Sequence, residues 1–215
     1  MERLNTARQE PTDRRRARGD ESRKSIIEAA IDSIAHLGLN ATTIETVAER
    51  ASVSRSLVLF HFKSKNRLHA AVLNHIGSQF SQGWEEILAR ADMPARQRLL
   101  ALLDYDVRFA LAHPRHLAVW QAFWGEARGS TLYREIEFPR DQRYMNDMHA
   151  LLLTLAEEGG VDKADVAVLI KGLEALLFGL WWQAHISPQP DHEAVGIRAV
   201  RTYLAAAWPR HFAAR

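Results

Sequence analysis

Between Ser54 and Lys65 the chain concentrates side chains that can meet phosphates or the edges of bases: Ser54, Arg55, Ser56, Leu59, Phe60, His61, Lys63 and Lys65. At a period of 3.6, Leu57, Val58 and Phe62 fall on one side of a helix and Arg55, Ser56, Leu59, Phe60 and His61 stay on the other. A guanidinium on such a face can donate two parallel bonds to a guanine, while hydroxyls and ammonium groups suit phosphate oxygens. Thr42 and Thr43, a little upstream, add two hydroxyls. The expected division of labour puts Thr42, Thr43, Ser54, His61, Lys63 and Lys65 on phosphates, and Arg55, Ser56, Leu59 and Phe60 on base edges.

Two short helices and the start of a third must hold these groups. Thr42 and Glu45 stand at capping-box spacing, so the first of the pair is expected to open at Thr42 and to bury Ile44, Val47 and Ala48. Ser52 and Val53 break the pattern, Ser54 can cap the second helix, and Ser64 the next. Upstream, Ile27, Ala30, Ile34 and Leu37 recur at helical spacing and Gly38 stands where a helix ends, which gives a bracing helix. Residues 1–19 lack an apolar period and are expected to be a flexible basic arm; its Arg14, Arg15, Arg16 and Arg18 suit a phosphate backbone or a minor groove, or a solvated tail equally well.

Thr42-Thr43, the run from Ala48 to Ser54, and Phe60 to Lys65 resemble the helix-turn-helix of the TetR family of bacterial transcription factors. The resemblance covers residues 20–80, with the motif at 43–62, and implies DNA binding. Two positions depart from the family pattern. Ser52 stands where the turn usually carries Gly, which costs on the order of 1 kcal/mol if φ is positive. Leu59 stands where an aromatic or polar residue is usual, so readout there falls to apolar contact with a thymine methyl.

The remaining residues, 81–215, read as a ligand-binding and dimerisation domain. Residues 1–70 hold 13 Lys and Arg against 9 Asp and Glu, and the rest 15 against 17, so the basic excess sits in the half that would neutralise phosphates. Past Ser64 every segment has helical period, with stops at Pro94, Pro114, Gly129, Gly159-Gly160 and Pro188. The expected segments are 65–90, 95–112, 114–127, 131–157, 163–186 and 191–207, giving an all-α chain of about nine helices.

Trp120, Phe123 and Trp124, with Tyr133 after a Gly break and Phe178 and Trp181 further on, form the aromatic clusters of this half. The Trp-x-x-Phe-Trp run, the Leu-Tyr-Arg after it and the Gly-Leu-Trp at 179–181 resemble BetI-type C-terminal domains, which implies a choline-responsive repressor. These six residues are the candidate effector contacts: their ring faces could hold a quaternary amine through cation–π attraction, or they could be core filling. Broad apolar faces at Val166, Leu169, Ile170, Leu173, Leu176, Leu177 and Leu180, and at Val195, Val200, Leu204 and Trp208, suggest burial against a second subunit. The resemblance likewise implies a homodimer through the last two helices.

Enzyme signatures are not found, and the chain is read as a non-enzyme that needs no cofactor. His113 and His116 have metal-compatible spacing but no third ligand nearby in sequence, so no metal site is expected; they read as a cap and a surface histidine. The chain has no cysteine, its N-terminus is too polar for a signal peptide, and its longest apolar run is too short to span a membrane. A cytoplasmic location is expected. The sequence therefore predicts a repressor that binds a palindromic operator as a homodimer and is released by a small molecule. The alternative is an all-α small-molecule binding protein or enzyme whose helix-turn-helix is only a brace.

Overall fold

A computed structural model describes residues 11–126, 131–159 and 163–212. It is all α, with ten helices and no strand among the described residues. The chain divides into two compact units, residues 1–72 and 73–215, and the division falls inside one helix, ahead of the expected boundary at 80.

The first unit contains α1 (Pro11–Ala41), α2 (Ile44–Arg50), α3 (Arg55–Phe62) and the opening turns of α4 (Lys65–Leu88). Helix α1 takes in residues 11–19 of the stretch read as an arm, while residues 1–10 lie outside the described residues. Its buried stripe is Ile26, Ile27, Ala30, Ile31 and Ile34, and it packs on α2; Val47 and Ala48 of α2, Val58 and Phe62 of α3, and Leu68 and Val72 of α4 are buried in the same unit. Leu37, expected to continue the stripe, is exposed. The helix breaks at the next residue, Gly38, whose φ of 79° and ψ of 171° lie in a region that essentially only glycine occupies, and it is Leu39 beyond the break that is buried.

The second unit holds the rest of α4 with α5 (Ala95–Ala112), α6 (Pro114–Gly125), α7 (Thr131–Gly159), α8 (Lys163–Ile186), α9 (His192–Ala207) and the single turn α10 (Pro209–Phe212). These helices follow the predicted segments closely. Helix α5 is central, packed on α7, α8 and α9, because Leu99, Leu102, Leu103, Val107 and Phe109 cover much of its circumference. Helices α8 and α9 meet closely at Gly172, where a Cβ would collide with the Tyr203 hydroxyl. That hydroxyl donates to the Leu169 carbonyl at 3.2 Å.

The apolar faces expected to meet a second subunit are largely internal. Val166, Leu169, Ile170, Leu173, Leu177 and Leu180 are buried within the chain, as are Val200, Leu204 and Trp208. A different stripe stays open: Val168 is 72% exposed, Ile186 60% and Trp182 46%, with Val195 on α9 also exposed. The wide apolar circumference of α8 is thus shared between the monomer's own core and an open face.

Candidate functional site

Two constellations emerge, one in each unit. In the first, α2 opens one residue later than expected. The cap is Thr43, whose side chain accepts from Thr46 N at 3.2 Å, while the Thr43 N–H donates to Thr46 Oγ1 at 2.9 Å. The box is therefore Thr43–Thr46 and not Thr42–Glu45. Thr42 is buried and its hydroxyl donates to the Gly38 carbonyl at 2.8 Å, so it ties down the Gly38 break and is not presented to a phosphate. After α2, Ser52 has the positive φ anticipated for it, 54°. Ser52 N bonds the Glu49 carbonyl (3.0 Å) and Val53 N the Ala48 carbonyl (2.9 Å), the paired arrangement of a Schellman end, which compensates the strain of a side chain at that φ.

Ser54 caps α3, accepting from Leu57 N at 3.2 Å and sharing a 2.8 Å bond with the Ser56 hydroxyl. Val58 and Phe62 are buried and Leu57 half-buried. That leaves Arg55, Ser56, Phe60 and Lys63 exposed, with Leu59 and His61 half-exposed at the flanks. Arg55 is ion-paired with Glu45 of α2, both largely exposed. The Lys63 ammonium donates to the Phe60 carbonyl at 2.8 Å and lies 5.1 Å from the Phe60 ring centre. Lys65 differs from the expectation: its ammonium donates to the carbonyls of Leu39 (2.8 Å) and Asn40 (3.3 Å), which binds the start of α4 to the segment beyond Gly38 and takes Lys65 out of the free cations.

In the second unit a cavity of about 320 Å³ opens between α4, α5, α6, α7 and α8. Four of the six predicted aromatics line it: Trp124, Tyr133, Phe178 and Trp181. Trp120 and Phe123 do not. Both are buried as core, Trp120 packed against Phe80, Phe109 and Trp181 at ring distances of 6.1, 6.1 and 5.2 Å. Phe178 is half out of the fold and stacks obliquely on Trp124 at 5.1 Å. A larger recess of about 460 Å³ beside α8 and α9 is lined by Val168, Tyr203 and Arg210 and lacks a cage of rings.

Carboxylates in the cavity escaped the sequence reading. Trp181 Nε1 donates to Asp106 Oδ1 at 2.7 Å, and Trp124 Nε1 donates to the Tyr133 hydroxyl at 2.7 Å, which in turn donates to Asp141 Oδ2 at 2.6 Å. Glu174 completes the set. Burial pushes Asp106 up to about 6 from 3.8, with the charge of Asp141 adding to it against the bonds from Trp181 and Tyr144. Asp141 stands on an exposed turn of α7, yet desolvation of its carboxyl by the surrounding rings also brings it to about 6. Close by, Glu137 is buried and pushed up to about 7 by desolvation, against the pull of Arg140 at 2.5 Å. The signal for Asp106 was present: it falls in register with Leu99, Leu102, Leu103 and Phe109, on the core stripe of α5. Nothing comparable marks Asp141, on a largely polar stretch of α7, or Glu174, an acid at i+3 from Lys171 on α8.

His113 and His116 stack at 5.1 Å. His116 is buried, not a surface residue, and desolvation lowers it to about 4. Among the described residues no group of three or more His, Asp or Glu could hold a metal, and no helix is long and apolar enough to cross a membrane.

A short capped helix presenting Arg55, Ser56 and Phe60 in the first unit and an aromatic cavity in the second are the arrangement with which the comparisons with known proteins agree. Residues 26–72 match the family model of bacterial regulatory proteins of the tetR family, and residues 95–209 that of the BetI-type transcriptional repressor C-terminal domain. The chain belongs to the TetR family, as a DNA-binding transcriptional repressor with a BetI-type C-terminal domain. The HTH-type transcriptional regulator BetI of Paraburkholderia phymatum is 27% identical over 184 residues, covering 85% of this chain and 90% of that protein. That of Cronobacter sakazakii is 27% identical over 197 residues, covering 87% and 93%. Among solved structures, a transcriptional regulator from Pseudomonas aeruginosa PAO1 shares the fold with a TM-score of 0.76 at 23% identity, covering 97% of each chain. SmeT in complex with triclosan shares it at 0.70 and 21% identity, covering 86% of this chain and 91% of that one.

Proposed function

We propose that the protein represses transcription as a homodimer on a palindromic operator and is released when a small organic molecule enters the cavity between α4 and α8. The observation that carries this reading is the sharing of α4. Its first turns supply the buried Leu68 and Val72 to the unit that contains α3, and its later turns supply Phe80 to the cavity wall. A ligand that displaces Phe80 therefore acts on the helix on which the reading unit is built. Arg55, Ser56 and Phe60 contact base edges, with Leu59 at the flank, and Thr43, Ser54, His61 and Lys63 contact phosphates. Thr42 and Lys65 hold the scaffold. The open stripe of Val168, Trp182, Ile186 and Val195 is the surface that a second copy covers, and a two-fold dimer sets two α3 helices for successive major grooves. Such a repressor acts in the cytoplasm, where the operator is.

Release demands that the effector favour the state that cannot bind the operator, since equal affinity for both states shifts nothing. The test is selection of bound sequences from a random DNA pool, followed by fluorescence anisotropy on the selected duplex as candidate effectors are added, with sedimentation at micromolar concentration. A dyad-symmetric site, a dimer, and loss of operator affinity on adding effector are expected. A monomer at that concentration, or sites without dyad symmetry, would refute it.

A further inference from the structure

The cavity combines ring faces with three carboxyl groups, and no Lys, Arg or His is among the residues lining it. Each acid comes from a different wall: Asp106 from α5, Asp141 from α7 and Glu174 from α8. Trp181, Tyr133 and Lys171 each engage one oxygen of Asp106, Asp141 and Glu174 respectively; Tyr144 also bonds Asp106, and the second oxygens of Asp141 and Glu174 are left to accept from a guest. Of the three acids, Glu174 is ion-paired with Lys171 at 2.6 Å and Asp141 feels the charge of Arg140, so the set is only partly neutralised from within. The acids also feel one another: the charge of Asp141 disfavours ionisation of Asp106, and that of Glu174 disfavours ionisation of Asp141. The Tyr144 hydroxyl, buried on the cavity wall, lies against the Asp106 carboxyl and keeps its own lone pairs to accept.

We infer that the occupant is an aliphatic diamine or polyamine, its methylene chain lying along Trp124, Phe178 and Trp181 and its protonated ends donating N–H bonds to the carboxyl groups. The inference rests on the reading of this cavity as the effector site. Two cationic ends relieve the mutual repulsion of acids on separate walls, whereas one charge leaves most of it in place. A primary ammonium carries three donors and so serves the open carboxyl oxygens and the Tyr144 hydroxyl. A quaternary ammonium enjoys the ring faces through cation–π attraction but has no N–H to give, which leaves those acceptors unbonded. Burial of several neutral methylenes against the rings supplies the apolar part of the affinity.

The test is titration of the full-length protein with 1,4-diaminobutane, 1-aminobutane and choline, followed by tryptophan fluorescence and calorimetry. The diamine should bind about tenfold or more tightly than either monocation, the weight of one added hydrogen bond between charged groups. Glu174→Gln and Asp141→Asn, both at accessible positions, should each lower diamine affinity several-fold more than they lower 1-aminobutane affinity, narrowing the preference. Choline binding as tightly as the diamine, or a preference undiminished in both variants, would overturn the inference. Operator release is read separately. Tight diamine binding with no loss of operator affinity leaves the ligand class standing and refutes gating. Release by a neutral compound with no diamine preference does the reverse.

Discussion

The outward face of α3 in the first unit and the cavity of the second are built on opposite principles. On α3 the chemistry-bearing groups are exposed, separated by three or four residues on one short helix, and paired with near neighbours: Arg55 with Glu45, Lys63 with the Phe60 carbonyl. In the cavity they come from five helices, and burial holds the carboxyl groups of Asp106 and Asp141 well above their ordinary range. The difference teaches where each function stores its specificity. A face that must meet solvated DNA can keep its charges in water until contact, whereas a site for a small molecule must meet the cost of burying acids and recover it from the guest.

Substitutions separate the two regions, and the largest effect falls on a residue that belongs to neither. Trp120→Ala should lower stability by about 3–5 kcal/mol through the void it leaves against Phe80 and Trp181, seen as a drop in chemical-denaturation midpoint. Trp124→Ala, at the half-exposed cavity wall, should cost less stability and more effector response. The reverse order would place Trp120 in the site after all. Arg55→Ala should weaken operator binding by about 1–3 kcal/mol and relax preference at one base pair, with little change in thermal midpoint. Equal losses on every sequence would assign Arg55 to phosphates.

Asp106→Asn keeps an acceptor for Trp181 but cannot ionise. Because the folded pKa of Asp106, about 6, lies above its ordinary 3.8, the wild type loses stability as pH rises through that interval. The neighbouring Asp141, Tyr105 and Tyr144 are common to both proteins. The variant should therefore be more stable by about 1–3 kcal/mol at pH 8, the gap closing as pH falls below about 4. A gap that does not change between thermal melts at pH 8 and pH 4 would remove the buried charge as its cause. Lys65→Met should reduce stability by about 1 kcal/mol and leave the salt dependence of DNA binding unchanged, since its ammonium is spent on Leu39 and Asn40. A shallower salt slope would return Lys65 to the phosphates. Smallest of all, Ser52→Gly should stabilise by up to about 1 kcal/mol, relieving the φ of 54° at the turn, as measured by urea unfolding.

Local rules made the reading unit legible. Helix period, caps and breakers located α2, α3, the strained Ser52 and the outward residues, because each depends on bonds spanning three to five positions. Even there, the cap slipped from Thr42 to Thr43, since the Gly38 break recruits the Thr42 hydroxyl. The bonds of Lys65 were invisible for a related reason: its partners lie 25 and 26 residues away. In the second unit the segments were visible and their faces were not. The leucines of α8 turned inward and Val168, Trp182 and Ile186 outward because α5, α7 and α9 all claim α8, and a helix that is apolar nearly all round gives no hint of which side they take.

The sequence by itself determined the all-α class, the helix segments from 65 onward, the helix-turn-helix and the concentration of rings around Trp124 and Trp181. These follow from periodicity and from caps, turns and stops, which are short-range interactions written along the chain. The tertiary structure alone decided which rings fill the core and which enclose space, and it alone brought Asp106, Asp141 and Glu174 to one cavity. Burial and like-charge proximity depend on how five helices are placed together, and no spacing along one helix encodes that.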